Sequence, residues 1–154
     1  MITEDTVVSD EVVINAPAEI VWDVLVNFKD YHKWNRFCPQ ADATLELGSP
    51  IVMKVDLGFG LQDQVEFISL IEPGKAIAWG MENKPGDPIH AVRTQILKPL
   101  DDNRCSYLSI DDFKGSDPEA LKAMMEMMAK RVEDGFNLCA QGLKEYAEQI
   151  ACPA

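Results

Sequence analysis

The sequence predicts an α+β chain in which a curved, seven-stranded antiparallel sheet carries one long C-terminal helix. Three observations lead there. A β-branched run, TVVSDEVVIN (6–15), gives way to a helical pattern at Asn-Ala-Pro. Strand-like stretches separated by tight turns then fill residues 41–113. From Pro118 to about Ile150 the apolar positions recur at helical spacing without a break.

In the first strand, Val8, Val12 and Ile14 sit at even spacing and share one face. Pro17 fits a first helical turn, where its missing N–H has no intrahelical partner, and Asn15 is placed to cap it. The following helix has a narrow polar stripe, Glu19, Asp23 and Asn27, and is apolar almost everywhere else. Such a helix expects to be gripped on several sides. A second short helix, KDYHKW (29–34), is anchored by Tyr31 and Trp34.

The six further strands are ATLEL (43–47), IVMKVD (51–56), DQVEFISLI (63–71), AIAWGM (76–81), HAVRTQILK (90–98) and CSYLSIDDF (105–113). Their connections, GSP, GFGLQ, EPGK, NKPGDP and LDDNR, are short enough for hairpins. Pro73-Gly74 suits the centre of a type II turn, with proline fixing the first φ and glycine taking the positive one. In the terminal helix Leu121, Met125, Met128, Val132, Cys139, Leu143, Tyr146 and Ile150 form the apolar stripe. A strongly twisted sheet cannot hide its concave face behind two short helices, so this long helix is expected to lie across it.

Composition narrows the function. The 154 residues suit one domain, 1–154, with 47% apolar residues and no need of disulfides to build a core. A net charge of −12, from 26 acidic against 14 basic residues, argues against nucleic acid or an anionic membrane as partner. There is no apolar run of 18 residues. The opening MITEDTVVSD lacks the basic and apolar regions of a signal peptide, which points to the cytoplasm. Cys38, Cys105, Cys139 and Cys152 are scattered and read as reduced, packing thiols. His32 and His90 stand outside any metal-ligand or triad spacing, GFG is not followed by a helix, and no nucleotide fingerprint occurs. No metal and no cofactor are expected.

The element order and APAEIVWDVLVNFKDYHKWN (16–35) resemble the START-like (SRPBCC) superfamily, whose fold is called a helix-grip, and within it the polyketide cyclase/dehydratase-like branch. The match rests on Ala16-Pro17 leading to Val21-Trp22, on Tyr31-His32-Lys33-Trp34, on LIEPGKAIAW (70–79), and on Leu143 and Lys144 in the last helix. The resemblance implies a hollow between sheet and long helix that takes a small hydrophobic molecule such as a lipid, a sterol or an aromatic polyketide. Gly58 and Gly60 would let a loop near its mouth bend. It implies a lipid-binding or carrier role, or a cofactor-free cyclase, dehydratase or isomerase of the same fold. An interaction module is a third reading, disfavoured because no extra segment is present. A monomer or a homodimer fits equally.

Several residues are candidates for the site. Met124, Met125, Met127 and Met128 make either an adaptable wall or a core helix with only Met125 and Met128 inward. Phe67 and Trp79 either touch ligand or pack. The strand HAVRTQILK has two registers. One buries His90, Val92, Thr94 and Ile96; the other buries Ala91, Arg93, Gln95 and Leu97. The resemblance favours the second, with Tyr107, Ser109 and Asp111 sharing the interior face. A buried arginine needs a partner, and Asp111 is the expected one. Arg93, Gln95, Tyr107 and Asp111 would then form a polar floor. There Arg93 would orient a ligand oxygen or stabilise an enolate, and Tyr107 or Asp111 would exchange protons.

Overall fold

The computed structural model describes residues 1–82 and 86–152. The strands are β1 (Thr6–Val8), β2 (Val12–Ile14), β3 (Gln40–Ala43), β4 (Pro50–Asp56), β5 (Leu61–Glu72), β6 (Ala76–Gly80), β7 (His90–Asp101) and β8 (Arg104–Lys114). The helices are α1 (Ala18–Val26), a 3-10 helix (Phe28–Lys33) and α2 (Pro118–Ala151). All strands join one antiparallel sheet in the order β1-β8-β7-β6-β5-β4-β3, with β2 also paired to β8. This is the helix-grip arrangement that the element order predicts. Of the expected connection NKPGDP, residues 83–85 lie outside the described residues.

The expected first strand is present in two pieces. Val8 pairs with Ile110 and Val12 with Tyr107, so four steps on one side face three on the other. This bulge inverts the side-chain alternation. Val7 is therefore fully buried, where even spacing had placed Val8. Asn137 of α2 accepts from the Asp10 N–H at 2.8 Å and ties the break to the long helix.

Other local expectations shift for stated reasons. Pro17 is the cap of α1 and its carbonyl accepts from Ile20 and Val21; the helix begins too late for Asn15 to cap it and no side chain does, while the Asn15 N–H donates to Glu148 of α2 at 2.9 Å. The third strand occupies 40–43, where it pairs with β4, and not 43–47; Leu45 and Leu47 are exposed. The Pro73-Gly74 turn forms as expected, with Gly74 at φ +76° and the Lys75 N–H donating to Glu72 O at 2.9 Å.

α2 runs 34 residues along the sheet, burying Met125, Ala129, Val132, Phe136, Cys139, Leu143 and Ala147. Two glycines let it approach the loop that follows the 3-10 helix. A Cβ on Gly142 would stand 2.1 Å from the Trp34 carbonyl oxygen, and one on Gly135 would stand 2.3 Å from the Phe37 ring. Among the described residues no helix is long and apolar enough to cross a membrane.

Candidate functional site

The sheet's inner face is set by cross-strand register. Arg93 pairs with Asp111, Gln95 with Ser109 and Leu97 with Tyr107, and Trp79 on β6 lies opposite Arg93. Ala91, Arg93, Gln95, Leu97, Tyr107 and Ser109 are all buried, so the second of the two registers is the one adopted. Strand periodicity then carries Asp111 to the same face, half-buried at its rim.

Arg93 is the centre of this face. Its Nε donates to Ser109 Oγ at 2.8 Å and its second terminal nitrogen to the Tyr107 hydroxyl at 3.5 Å. The Tyr107 hydroxyl in turn donates to Gln95 Oε1 at 2.6 Å. Aromatic rings enclose the guanidinium: its carbon lies 4.2 Å from the centroid of Phe136, 5.5 Å from Phe37 and 6.0 Å from Trp79. Cation–π attraction of this kind strengthens when the cation is desolvated. Burial by itself would push the Arg93 pKa down, but Tyr107, Cys139 and Asp111 outweigh it and hold the group above its ordinary value. Arg93 thus stays a cation. Burial raises the Tyr107 hydroxyl far enough that it stays a neutral donor, which removes it as a base near neutral pH.

The expected Arg93–Asp111 bond is not what the structure contains. Asp111 stands directly across the ladder, yet the guanidinium reaches along the strand to neutral hydroxyls. The carboxylate acts through its field alone. Burial raises its pKa to about 7, against the lowering influence of Arg93 and with Asp112 adding to the rise.

Phe37 was not singled out by the sequence. The Asn35 side chain accepts from the Phe37 and Cys38 N–H groups at 3.1 and 2.8 Å. This turn directs the Phe37 ring against Gly135 and Phe136, 5.6 Å from the latter's centroid and edge-on. The only advance signal was an Asn-x-Phe turn pattern, which carries no directional information. Glu66 was missed as well. It is 9% exposed on the inner face of β5, and burial, then Asp111, raise its pKa to about 8 despite Arg93.

The remaining candidates separate. Trp79 is buried against Phe28 at 6.1 Å between ring centroids, whereas Met81 on the same strand face is 40% exposed. Phe67 pairs with Pro50 and Gly80 and points away from the polar cluster, on the opposite face from Glu66 and Ile68. Met125 is buried and lines a groove of about 700 Å3 with Ile2, Pro118 and Leu121. Met124 is half-buried and packs against the core, Met128 is half-buried, and Met127 is 72% exposed. Gly58 and Gly60 both take positive φ, and Arg131 of α2 fastens their loop by donating to Leu57 O at 3.0 Å.

With this geometry in view, comparison with known proteins is informative. The profile of the family described as polyketide cyclase/dehydrase and lipid transport matches residues 5–148. No curated protein matches the sequence. Among solved structures, the Zhui aromatase/cyclase from Streptomyces sp. R1128 superposes with a TM-score of 0.70 at 19% identity, covering 94% of this chain and 93% of that one. A protein from Thermus thermophilus, TTHA0849, gives 0.72 at 10% identity, covering 96% and 99%. A START superfamily protein from Mycobacterium smegmatis gives 0.62 at 12% identity, covering 90% and 99%. At these identities the likeness is one of fold.

Proposed function

The chain belongs to the polyketide cyclase/dehydrase and lipid transport family, and from that premise we propose that it binds a small hydrophobic molecule between the sheet and α2. The ligand is aromatic, polyketide-like or lipid-like, with an oxygen seated at Arg93. One observation carries this reading. A buried cation normally needs a charged partner, yet the hydrogen bonds of Arg93 go to the neutral Ser109 and Tyr107 inside a ring of aromatics. Such a desolvated donor is expensive as scaffolding and useful for orienting a ligand oxygen. Trp79 and Gln95 complete the walls and floor, and the ligand takes the place of the Phe37 ring, which is carried on a loop and not on the sheet.

A second reading, a cofactor-free cyclase, dehydratase or isomerase, is favoured by Asp111. A carboxyl raised to about 7 beside a fixed cation suits proton exchange with a carbon next to a polarised carbonyl. Native mass spectrometry of protein purified gently from its own host tests both. A defined adduct that disappears in Arg93→Met supports the binding site, and conversion of that compound by fresh protein selects the enzyme. An adduct unaffected by Arg93→Met sinks the role given to Arg93.

A further inference from the structure

We propose that Glu66 is the hydrogen-bond donor that admits neutral, oxygen-bearing apolar ligands and turns away carboxylates at the mouth of this site. The proposal rests on the ligand-binding reading above and specifies its chemistry.

Glu66 lies on β5 opposite Ile51, two residues before Ile68, which pairs with Trp79. It is nine-tenths buried, yet it lines a groove of about 470 Å3 together with Gln64, Met81 and Ile89, and with Glu82 and Asp87 on the rim. Among the described residues its carboxyl has no hydrogen-bond partner; its interactions are electrostatic, with Asp111 and Arg93. Asp111 likewise makes no hydrogen bond among the described residues; the Arg93 cation favours its ionised form and the Asp112 carboxylate opposes it. Its oxygens open onto that groove, so a carboxyl nine-tenths buried and without a partner inside the fold is placed to meet whatever enters there.

Counting charge identifies its state. Arg93 brings one positive charge to the face, and one carboxylate suffices to balance it. A second ionised carboxyl in the same desolvated region would be uncompensated. The pair therefore keeps one proton near neutral pH. Asp111, whose rise is smaller and whose position is across from Arg93, is the one that ionises; Glu66 keeps the proton. The other titratable neighbour is Cys38, whose thiol burial pushes up to about 12, so it too is neutral.

A neutral carboxyl donates one O–H. Its complement is a ketone, ester or quinone oxygen on an apolar body. A ligand carboxylate in that position would meet ionised Asp111 and the acidic rim. It would gain little net attraction from Arg93, whose charge the Asp111 carboxylate already balances.

Two probes with the same ring system test this: 2-acetylnaphthalene and 2-naphthoate, measured by equilibrium dialysis against the full chain and E66Q from pH 6 to 9.5. The wild type should bind the ketone at least tenfold more tightly than the carboxylate at pH 7.5, between the two carboxyl values. Its ketone affinity should fall about tenfold through a midpoint near 8, as the Glu66 proton leaves. E66Q, which cannot ionise, should hold the ketone equally well across the range. A pH-independent wild type, an E66Q as pH-sensitive as the wild type, or equal binding of the two probes overturns the inference and leaves the ligand-binding reading intact. Failure of both probes to bind either form at any pH overturns the two together. Carboxyl NMR of the wild type is an independent check: titration of Glu66 in the ordinary acidic range overturns the proposal without reference to any ligand.

Discussion

Replacing Glu66 by glutamine should convert an alkaline weakness of the fold into indifference. In the unfolded chain Glu66 titrates near its ordinary 4.5; in the folded protein it is raised to about 8. The folded state thus holds a proton that the unfolded state has released. Its contribution to stability is fully present below about 4.5 and is lost as pH rises through about 8. The size of that loss follows from the same two values. At about 1.4 kcal/mol for each pH unit, the rise corresponds to a ceiling of about 5 kcal/mol once Glu66 is forced to ionise in place. E66Q presents the same shape and a neutral amide, so it escapes this penalty. Urea melts at pH 5 should place the two proteins within about 1 kcal/mol. At pH 9.5 the variant should be more stable by several kcal/mol, close to that ceiling. For a chain of this size each kcal/mol moves Tm by roughly 2–4 °C, so thermal melts should separate clearly. Asp111 and the other shifted groups titrate in both proteins and account for the pH dependence that E66Q retains. Parallel stability–pH curves for the two proteins would refute the reasoning, because they would show that Glu66 ionises in the fold without cost.

Two further outcomes follow from packing and capping. Gly142→Ala adds a Cβ 2.1 Å from the Trp34 carbonyl, a backbone atom that cannot rotate away, and should lose about 1–3 kcal/mol in urea melts although alanine favours helix by about 1 kcal/mol. A neutral or stabilised variant would mean that the loop after the 3-10 helix yields freely. Asp117 caps α2 by accepting from the Glu119 and Ala120 N–H groups at 3.1 and 3.2 Å, so Asp117→Ala should lose about 1 kcal/mol, with no change in binding of an aromatic probe.

Much of the fold was legible because its signals are local. The period of 3.6 after Pro118, the proline-glycine turn at 73–74 and the alternation around each hairpin depend on neighbours a few residues apart. They determined the order of strands and helices and hence the α+β class. The polar floor was only half legible. Arg93, Gln95 and Tyr107 could be proposed together, but β7 has an acceptable apolar face in either register, so nothing in the strand itself chose between them.

Tertiary structure made that choice through the ladder, which sets Arg93 opposite Asp111 and Trp79 and so turns it inward. It also decided which way β5 faces. In VEFIS the apolar Val65 and Phe67 alternate with Glu66, which suggests that the glutamate faces water. Pairing with β4 instead aligns Glu66 with the fully buried Ile51, and the charge goes inside. Once strands are locked in register, a one-residue shift would expose the whole β4 face of Ile51, Met53 and Val55. Burying those three side chains outweighs the cost of burying one carboxyl, especially one that can keep its proton. Sequence periodicity therefore determined which elements this protein has, and the energy of the assembled sheet decided which of its charges lie within.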